Sequence, residues 1–411
     1  VTLCRSWVET QNKLSAGSHP LTMATMMGSL LQVLLVYVTM LDLDVWAISR
    51  NHGNRGETHT WQRVVLPLVV ERRTVPLSQP VFHATLAQNH PGIVCGIQCQ
   101  QSLPMPDRAQ LERLLAYETV YANGTRTLTK VRLQGANDEA TPSNVPPRRN
   151  RRQVFGTDGR FVISDRRFTT SFPFSASVKL SSGCSGILVA PRHVLTAAHC
   201  VHDGQDYLKE SRGLRVGAMR SQSPRSLTAT DPDRMSFRWT RVKQIHTPRG
   251  WMKDIARELA ADYDYALLEL RRPLAATPMD LGLVPVIKET VPASRVHFTG
   301  FDHDQPGKAV YRFCSVTQES SDLLYQYCDA RAGSSGAGVY VRLRVPSKQG
   351  PNGGKEKEKW TRKVIGVFSG HQWVDENGTQ RDYNVAVRLT PAKLAQICHW
   401  IHSDPKRCQQ P

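Results

Sequence analysis

The chain has 411 residues and a formal net charge of +18, so it is long enough for two domains or for one large domain with attachments. That charge suggests nucleic-acid binding. However, the basic residues are spread through loop-like stretches without interleaved aromatic residues or a nucleic-acid-binding motif, which excludes this class. Anionic matrix glycans and cell surfaces are the expected partners of such a basic chain.

The first 47 residues are predicted to lie outside the mature protein. Residues 1–22, which do not begin with methionine, are interpreted as a non-coding or artefactual leader. Residues 23–47 are interpreted as a signal peptide, because the apolar run 30–41 is shorter than the roughly 20 residues that cross a bilayer. Ala47 is the small residue at the expected cleavage site. We therefore expect a secreted, extracellular protein without a transmembrane span; a buried core strand is the alternative for the apolar run.

A second region, residues 48–152, is interpreted as a propeptide or N-terminal region, with a light chain as the alternative. Within residues 107–121 the apolar side chains recur with helical spacing, which predicts a helix. Asn123 begins an Asn-Gly-Thr sequon for glycosylation in a turn-like setting. Cys95 and Cys99 are expected to form a disulfide within this region.

A basic run ends this region. Residues 134–150 are polar and rich in proline, as in an exposed linker. Arg149, Arg151 and Arg152 then match the pattern that proprotein convertases of the furin type cut, and the predicted cut follows Arg152. The alternative is a solvated run of charge or a glycan-binding patch.

From residue 153 to residue 411, short strand-like runs alternate with turns rich in glycine and proline, which favours an all-β sandwich or barrel. The predicted strands are 161–163, 175–180, 186–190, 194–197, 214–216, 265–270, 296–300, 338–343, 364–368 and 384–389. One C-terminal helix is predicted over 391–401, because Pro391 suits the first turn and Leu394, Ile397 and Ile401 share a face.

Three residues carry the chemistry of a hydrolase, in the order His199, Asp264, Ser335. A serine hydroxyl is a poor nucleophile near neutral pH, so a neighbouring base has to take its proton. Histidine, with an ordinary pKa of about 6.5, suits that role, and a carboxylate orients its ring. Asp262 and Ser334 are the alternatives to Asp264 and Ser335, and a packed structural histidine is the alternative for His199.

The histidine region resembles that of chymotrypsin-fold serine proteases: 183–189 reads Gly-Cys-Ser-Gly-Ile-Leu-Val and 194–200 reads Val-Leu-Thr-Ala-Ala-His-Cys. Four further stretches resemble the family of secreted serine proteases 23 and 35; they are 172–175, 263–270, 323–330 and 369–375. The resemblance implies two antiparallel β-barrels with a C-terminal helix and a trypsin-like serine protease domain over 153–411. It implies protein or peptide substrates and no metal or organic cofactor.

The resemblance also implies roles for individual residues. The N–H groups of Gly333 and Ser335 form the oxyanion hole, Ser369 lies near the triad carboxylate, and Asp329 stands where the family binds substrate. A surface aspartate is the alternative for Asp329. The implied disulfide is Cys184–Cys200; the pairs Cys314–Cys328 and Cys398–Cys408 are predicted beside it, and Asn377 begins a second sequon. A zinc site is disfavoured because no doubled Cys-x-x-Cys pattern occurs.

The chain departs from the trypsin pattern at Ser334, where trypsin-like zymogens have the aspartate that pairs with the new N-terminus. The expected new terminus is Gln153, so the usual activating ion pair is not expected. The serine protease 35 branch is regarded as catalytically inactive and has threonine at the position of Ser335. The alternative function is therefore a weak or inactive homologue that binds matrix or cell surfaces through basic stretches such as 212–225 and 238–243.

Overall fold

The computed structural model describes residues 66–78, 82–85, 105–135, 158–220, 235–253, 260–283, 295–345, 359–376 and 379–408. Several predicted features lie outside these residues: the leader, the signal peptide, Cys95, Cys99, the cleavage site at Arg152 and Asn377. The described residues all belong to one compact unit, Trp61–Pro411.

Strands are the main regular secondary structure of the described chain. The strands of its first half are β1 (Leu68–Leu77), β2 (Tyr117–Tyr121), β3 (Arg126–Gln134), β4 (Phe161–Ile163), β5 (Ser177–Leu180), β6 (Ser185–Ala190), β7 (His193–Thr196), β8 (Arg215–Arg220), β9 (Ser236–Pro248) and β10 (Ala266–Leu270). Those of its second half are β11 (Arg295–Gly300), β12 (Ala309–Glu319), β13 (Leu323–Gln326), β14 (Gly338–Val345), β15 (Lys359–Glu376) and β16 (Thr379–Arg388). The helices are α1 (Arg108–Leu115), the single turn α2 (Arg166–Thr169) and α3 (Pro391–His402).

The strands close into two antiparallel β-barrels, which confirms the predicted fold class. The N-terminal barrel has the order β9-β10-β7-β6-β5-β8 and is closed by pairing of β8 with β9. The C-terminal barrel has the order β11-β14-β15-β16-β13-β12 and is closed by pairing of β11 with β12. Strand β4 is added to the C-terminal barrel at β12.

The N-terminal region adds three strands to the first barrel, in the order β1-β3-β2, and β2 pairs with β9. The helix predicted over 107–121 is shorter than the spacing suggested. Asp107 caps α1 by accepting from the N–H of Gln110, but Ala116 is already extended at φ −53° and ψ 149°. Residues 117–121 are Tyr-Glu-Thr-Val-Tyr, which favour a strand, and they find a partner in β9.

Two further predictions concern the C-terminal helix and the basic stretch within β9. The C-terminal helix is present as α3, capped by Thr390, with Pro391 in its first turn and Leu394 and Ile397 buried. The stretch 238–243, predicted as a basic insert, lies within β9 because it pairs with β8 and β10. Of the helices in the described residues, none is long and apolar enough to cross a membrane.

Candidate active site

The histidine and the aspartate meet because two neighbouring strands of the N-terminal barrel begin and end there. Strand β7 runs antiparallel to β10, with Thr196 opposite Ala266. His199 follows the end of β7 in a short 3₁₀ turn, and Asp264 precedes the start of β10. The pairing therefore brings both residues to the same end of the barrel, as the sequence predicts.

Asp264 holds His199 at two points. Its Oδ1 accepts from the His199 main-chain N–H at 2.9 Å, and its Oδ2 lies 2.8 Å from His199 Nδ1. Asp264 is fully buried and His199 is 8% exposed. Because the carboxylate accepts the Nδ1–H proton, the neutral ring has Nε2 as its proton acceptor. Ser369 also donates its hydroxyl to Asp264 Oδ2 at 2.5 Å, so the predicted neighbour of the carboxylate is placed beside it.

The Ser335 loop is fixed by hydrogen bonds to both barrels. Ser185 is the first residue of β6. Its main-chain N–H donates to the Ser335 carbonyl at 2.8 Å, and the Ser185 hydroxyl donates to the Gly333 carbonyl at 2.7 Å. Gly336 donates to the Phe368 carbonyl at 2.7 Å. Cys200 Sγ lies 3.7 Å from the Ser335 carbonyl oxygen and 3.7 Å from His199 Nε2. Ser335 is half-buried beside the histidine turn.

Glycine is required at two positions of this loop. Gly333 has φ +100° and Gly336 has φ +84°. Residues with a side chain rarely adopt this backbone conformation. A Cβ on Gly333 would overlap the Phe301 carbonyl, and one on Gly336 would overlap Thr196 Oγ1. In the described part of the chain, the N–H groups of Gly333 and Ser335 donate to no carbonyl group. These are the two donors that the resemblance assigns to the oxyanion hole.

The alternative residues occupy other environments. Ser334 is buried and donates its hydroxyl to the Arg331 carbonyl at 2.6 Å. Asp262 is buried in the 3₁₀ turn Ala260–Tyr263, two residues before Asp264. Asp329 is half-buried, and its Oδ2 accepts from the Gly159 N–H at 2.7 Å. Its predicted contact with substrate stays a prediction.

A buried ion cluster beneath the Ser335 loop was missed by sequence reasoning. Asp302 and Arg312 are each 1% exposed, and Arg312 Nη2 donates to Asp302 Oδ2 at 2.5 Å. Arg160 donates to the same oxygen at 2.9 Å and pairs with Asp304 at 2.8 Å. Burial lowers the pKa of the Arg312 guanidinium, and Asp302 opposes that shift. In the sequence, Asp302 and Asp304 precede Arg312, and Asp158 precedes Arg160, but neither spacing is specific.

This ion cluster lies against the oxyanion loop. Phe301 and His303, which flank Asp302, contact the position where a Cβ of Gly333 would be. The Phe301 N–H donates to Ser185 Oγ at 2.9 Å, and the His303 N–H donates to the Ala332 carbonyl at 2.8 Å. In this cluster, Asp302 pairs with the guanidinium groups of Arg160 and Arg312. In trypsin-like zymogens a carboxylate pairs instead with the new N-terminus, and this chain has Ser334 at the position of that carboxylate.

The residues that the structure describes contain three disulfides, and these are the predicted pairs Cys184–Cys200, Cys314–Cys328 and Cys398–Cys408. The first joins the residue before β6 to the turn that holds His199. In the described residues, Cys184, His199 and Cys200 have their sulfur and ring nitrogen atoms within 4.8 Å of one another. The disulfide leaves no thiolate there, so this group is a poor metal ligand set.

Known proteins with similar sequences show the family of this chain. A family model described as Trypsin matches residues 162–317, which include His199 and Asp264. The chain is 48% identical to Inactive serine protease 35 of Rattus norvegicus, over 88% of this chain and 97% of the relative. It is 46% identical to Serine protease 23 of Mus musculus, over 85% of this chain and 92% of the relative.

Among solved structures, a Glu endopeptidase in complex with MPD is similar to 61% of this chain and 100% of that chain, with 20% identity and a TM-score of 0.41. The relatives at 46–48% identity cover most of both sequences. The chain therefore belongs to the family of serine protease 23 and serine protease 35, whose members are trypsin-like serine proteases with a chymotrypsin-type fold.

Proposed function

We propose that this chain is a secreted serine endopeptidase that hydrolyses peptide bonds with Ser335, His199 and Asp264. One observation carries the proposal: a fully buried carboxylate holds His199 by its main chain and its ring, and Ser369 binds the same carboxylate. A carboxylate so placed fixes the tautomer of the histidine and stabilises its protonated form during catalysis.

In the proposed reaction, His199 Nε2 takes the proton of the Ser335 hydroxyl while Oγ attacks the carbonyl carbon of the substrate. The N–H groups of Gly333 and Ser335 receive the resulting oxyanion, and each such donor contributes about 3–4 kcal/mol in comparable enzymes. His199 then gives its proton to the leaving amine. Water attacks the acyl-enzyme in the second half of the reaction, again with His199 as the base. Catalytic hydrogen bonds often shorten when substrate binds, so the Ser335–His199 bond is expected in the complex.

The substrate class is protein or peptide. Ser369 and Asp329 are the proposed substrate-binding residues, and the complement of Asp329 is a basic side chain. Profiling wild type and Asp329→Asn against a peptide library tests this assignment. A preference for arginine or lysine that persists unchanged in Asp329→Asn would contradict it.

Secretion and processing complete the proposal. A convertase cuts after Arg152, and Asn123 carries a glycan. Asn123 supports this assignment because it is exposed in the turn between β2 and β3, where its side chain accepts from the Thr125 N–H at 3.0 Å. Mass mapping of secreted protein, with Arg152→Ala and Asn123→Gln as comparisons, tests both modifications. An intact basic run in the secreted protein would contradict the processing step.

A fluorophosphonate probe tests the catalytic proposal, because it reacts only with an activated serine. The probe is applied to wild type before and after the chain is cut at Arg152. Wild type is expected to react, and Ser335→Ala is expected to lose all labelling. Ser334→Ala is the matched control, since the Ser334 hydroxyl is bonded to the Arg331 carbonyl and is expected to have no catalytic role. Wild type that stays unlabelled while a reference protease reacts would contradict an active enzyme.

A second candidate function, binding of sulfated glycans by a weak or inactive homologue, is favoured by one surface of the C-terminal barrel. We call it the arginine–aromatic surface; it consists of Arg295, Arg342, Arg362, His297, Tyr311, Phe313 and Trp360. Arg342 lies 4.2 Å from the centre of the Trp360 ring, and Arg295 lies 5.3 Å from that of Phe313. His297 stacks on Tyr311 with ring centres 6.1 Å apart.

Among the described residues, no acids balance the charge of this surface. No carboxylate of the described residues pairs with Arg295, Arg342 or Arg362, whereas buried Arg312 and Arg388 each bind one. Burial, together with Arg362, Arg342 and Arg295, lowers the pKa of His297 to about 4, so its ring is neutral at pH 7. Such a surface complements an anionic polymer, and salt weakens such binding.

Heparin chromatography tests this candidate. The double variant Arg342→Ala/Arg362→Ala is expected to elute at clearly lower salt than wild type. Arg167→Ala is the control, because Arg167 is exposed but already paired with Asp165. Ser335→Ala is expected to elute with wild type. Equal elution of the double variant and the control would contradict the assignment.

A further inference from the structure

The N-terminal region is built into the protease fold through a shared strand. Strand β9 pairs with β8 along 236–241 and with β2 along 244–248, on the edge that β10 does not occupy. Two further main-chain bonds extend this ladder, from Arg249 N–H to the Ala116 carbonyl at 2.6 Å and from Ala122 N–H to the Lys243 carbonyl at 2.9 Å. Without β2, half of β9 would be an unpaired edge strand, which proteins usually avoid.

Apolar side chains of the N-terminal region also belong to the main hydrophobic cluster. The fully or nearly fully buried members are Val69, Leu114, Leu115, Tyr117, Val120, Val131 and Leu133. The Tyr117 ring lies 5.6 Å from His246 of β9 and 5.4 Å from Trp400 of α3, measured between ring centres. Removal of this region would therefore expose apolar surface on β9 and on α3.

Buried polar groups cross the same boundary. Glu118, 3% exposed, accepts from Arg249 at 2.9 Å, and Thr119 Oγ1 lies 2.9 Å from His246 Nδ1. Gln396 of α3 is fully buried; its amide N–H donates to the Leu115 carbonyl, and its oxygen accepts from the Tyr265 hydroxyl at 2.5 Å. Such groups are costly to leave without their partners, so they oppose separation of the two parts.

A second contact reaches the loop that follows the candidate catalytic histidine. The Ala84 carbonyl accepts from the Lys209 N–H at 2.9 Å, and Phe82 packs on Tyr207 with ring centres 6.3 Å apart. Tyr207 in turn packs edge-on against His202, with ring centres 4.7 Å apart. His202 is only three residues beyond His199 in the sequence.

We propose that residues 66–135 are a permanent, noncovalent light chain of this protein, retained on β9 and α3 after the chain is cut, and not a propeptide that leaves. The two-chain state rests on the proposed cleavage after Arg152, but retention itself rests only on these contacts. The association is noncovalent because the six cysteines of residues 158–408 already pair with one another. The light chain supports two elements near the candidate catalytic residues. One is β9, which pairs with β10, the strand that follows Asp264; the other is the loop that follows His199.

The experiment uses the full secreted chain, folded before it is cut. One sample is cut by a convertase; a second carries a viral-protease recognition sequence inserted after Pro147 and is cut there. Native size-exclusion chromatography without reductant is expected to show both fragments eluting together in each sample. They are expected to separate in denaturant without any reducing agent.

The two cuts separate the two proposals. Failure of the convertase to cut contradicts the proposed processing, while the engineered cut still tests retention. Retention is overturned if the N-terminal fragment elutes alone in native buffer. The support of β9 and of the loop after His199 is overturned if the remaining fragment then keeps its melting temperature and its rate of reaction with the fluorophosphonate probe.

A pair of variants on one strand tests the interface. Val120→Asp places a charge at a position that is 2% exposed, so the cut fragments are expected to associate at least about a hundredfold more weakly. Tyr121→Asp, at a position 37% exposed on the same strand, is the control and is expected to stay associated. Circular dichroism and the melting temperature of the uncut variants verify folding. If both variants stay associated as tightly as wild type, or if both dissociate, the assignment of β2 as the interface is wrong.

Discussion

The two barrels are supported in different ways, although each closes with six strands. The N-terminal barrel, which holds His199 and Asp264, is braced from outside by three added strands and α1. The C-terminal barrel, which holds Ser335, gains only β4 and is braced from within by the buried ion cluster around Asp302. The half that would supply the base therefore depends on another segment of the chain, and the half that would supply the nucleophile depends on its own charges.

Removal of a proposed catalytic group from either barrel has the largest expected effect. Ser335→Ala should lower the catalytic rate by about 10⁶-fold, and Asp264→Asn by about 10⁴-fold, because the first removes the nucleophile and the second disturbs the tautomer of His199. Rates of substrate hydrolysis measure the first effect, and the rate of fluorophosphonate labelling measures the second. Equal activity of Asp264→Asn and wild type would show that His199 does not depend on this carboxylate.

Removal of the charge of Asp302 should have the next largest effect, on stability. Asp302→Asn leaves Arg312 as a buried cation without its carboxylate, which should lower the free energy of unfolding by about 3–5 kcal/mol. Urea denaturation measures it. Lys243→Met is the control in the other barrel: it breaks a pair with Glu269 in which the lysine is half exposed, and should cost less than about 1 kcal/mol. Similar losses in both variants would contradict the internal bracing of the C-terminal barrel.

Acid should weaken the N-terminal barrel more than the C-terminal barrel. Burial lowers the pKa of His202 and of His246 to about 3 each, whereas the unfolded value is about 6.5. Between these pH values the unfolded chain binds protons that the folded chain does not. Each histidine should therefore lower the free energy of unfolding by about 1.4 kcal/mol per pH unit as the pH falls from about 6.5 towards 3.

His246→Gln tests this dependence, because it keeps a neutral polar side chain beside Thr119. Urea denaturation at pH 7 and pH 5 should show a pH dependence that is smaller by about one proton than in wild type. The C-terminal barrel contributes His297, whose pKa burial and three arginines lower to about 4. An unchanged pH dependence in His246→Gln would mean that this ring becomes protonated without unfolding.

The smallest expected effect concerns the contact between α3 and the N-terminal region. Gln396→Leu removes the donor to the Leu115 carbonyl and the acceptor of the Tyr265 hydroxyl, and should cost about 1–3 kcal/mol of unfolding free energy. In the double variant Gln396→Leu/Tyr265→Phe the stranded hydroxyl is absent, so part of the loss should be recovered. No recovery would indicate that the cost arises from packing alone.

The catalytic candidates were predictable because short-range patterns encode them. His199, Asp264 and Ser335 each stand at the end or start of an apolar run or in a glycine turn. The register of β7 with β10 brings His199 and Asp264 together; the catalytic role of Ser335 stays a prediction. The helix α3 was predictable for the same reason, whereas Cys184–Cys200 was predicted from the resemblance to chymotrypsin-fold proteases.

The missed features depend on contacts distant in sequence. Strand β9 is polar and basic in sequence, and β2 looked helical because Val120 continues the spacing of α1. β2 pairs with β3 on one edge and with β9 on the other, and the pairing with β9 joins residues more than a hundred positions apart. β9 also pairs with β8 and β10. The Arg312–Asp302 pair and the Arg160–Asp302 pair likewise unite residues that no local motif links.

Ser185 gives the junction of the barrels a fixed geometry. This one residue of β6 bonds to Ser335, Gly333 and Phe301, all of which belong to the opposite half of the molecule. Its hydroxyl donates to one partner and accepts from another, so alanine would break two of its three links and leave the third. These hydrogen bonds fix the position of the Ser335 loop relative to the barrel that holds His199. A shift of one barrel against the other would therefore disturb the proposed chemistry before either barrel unfolds.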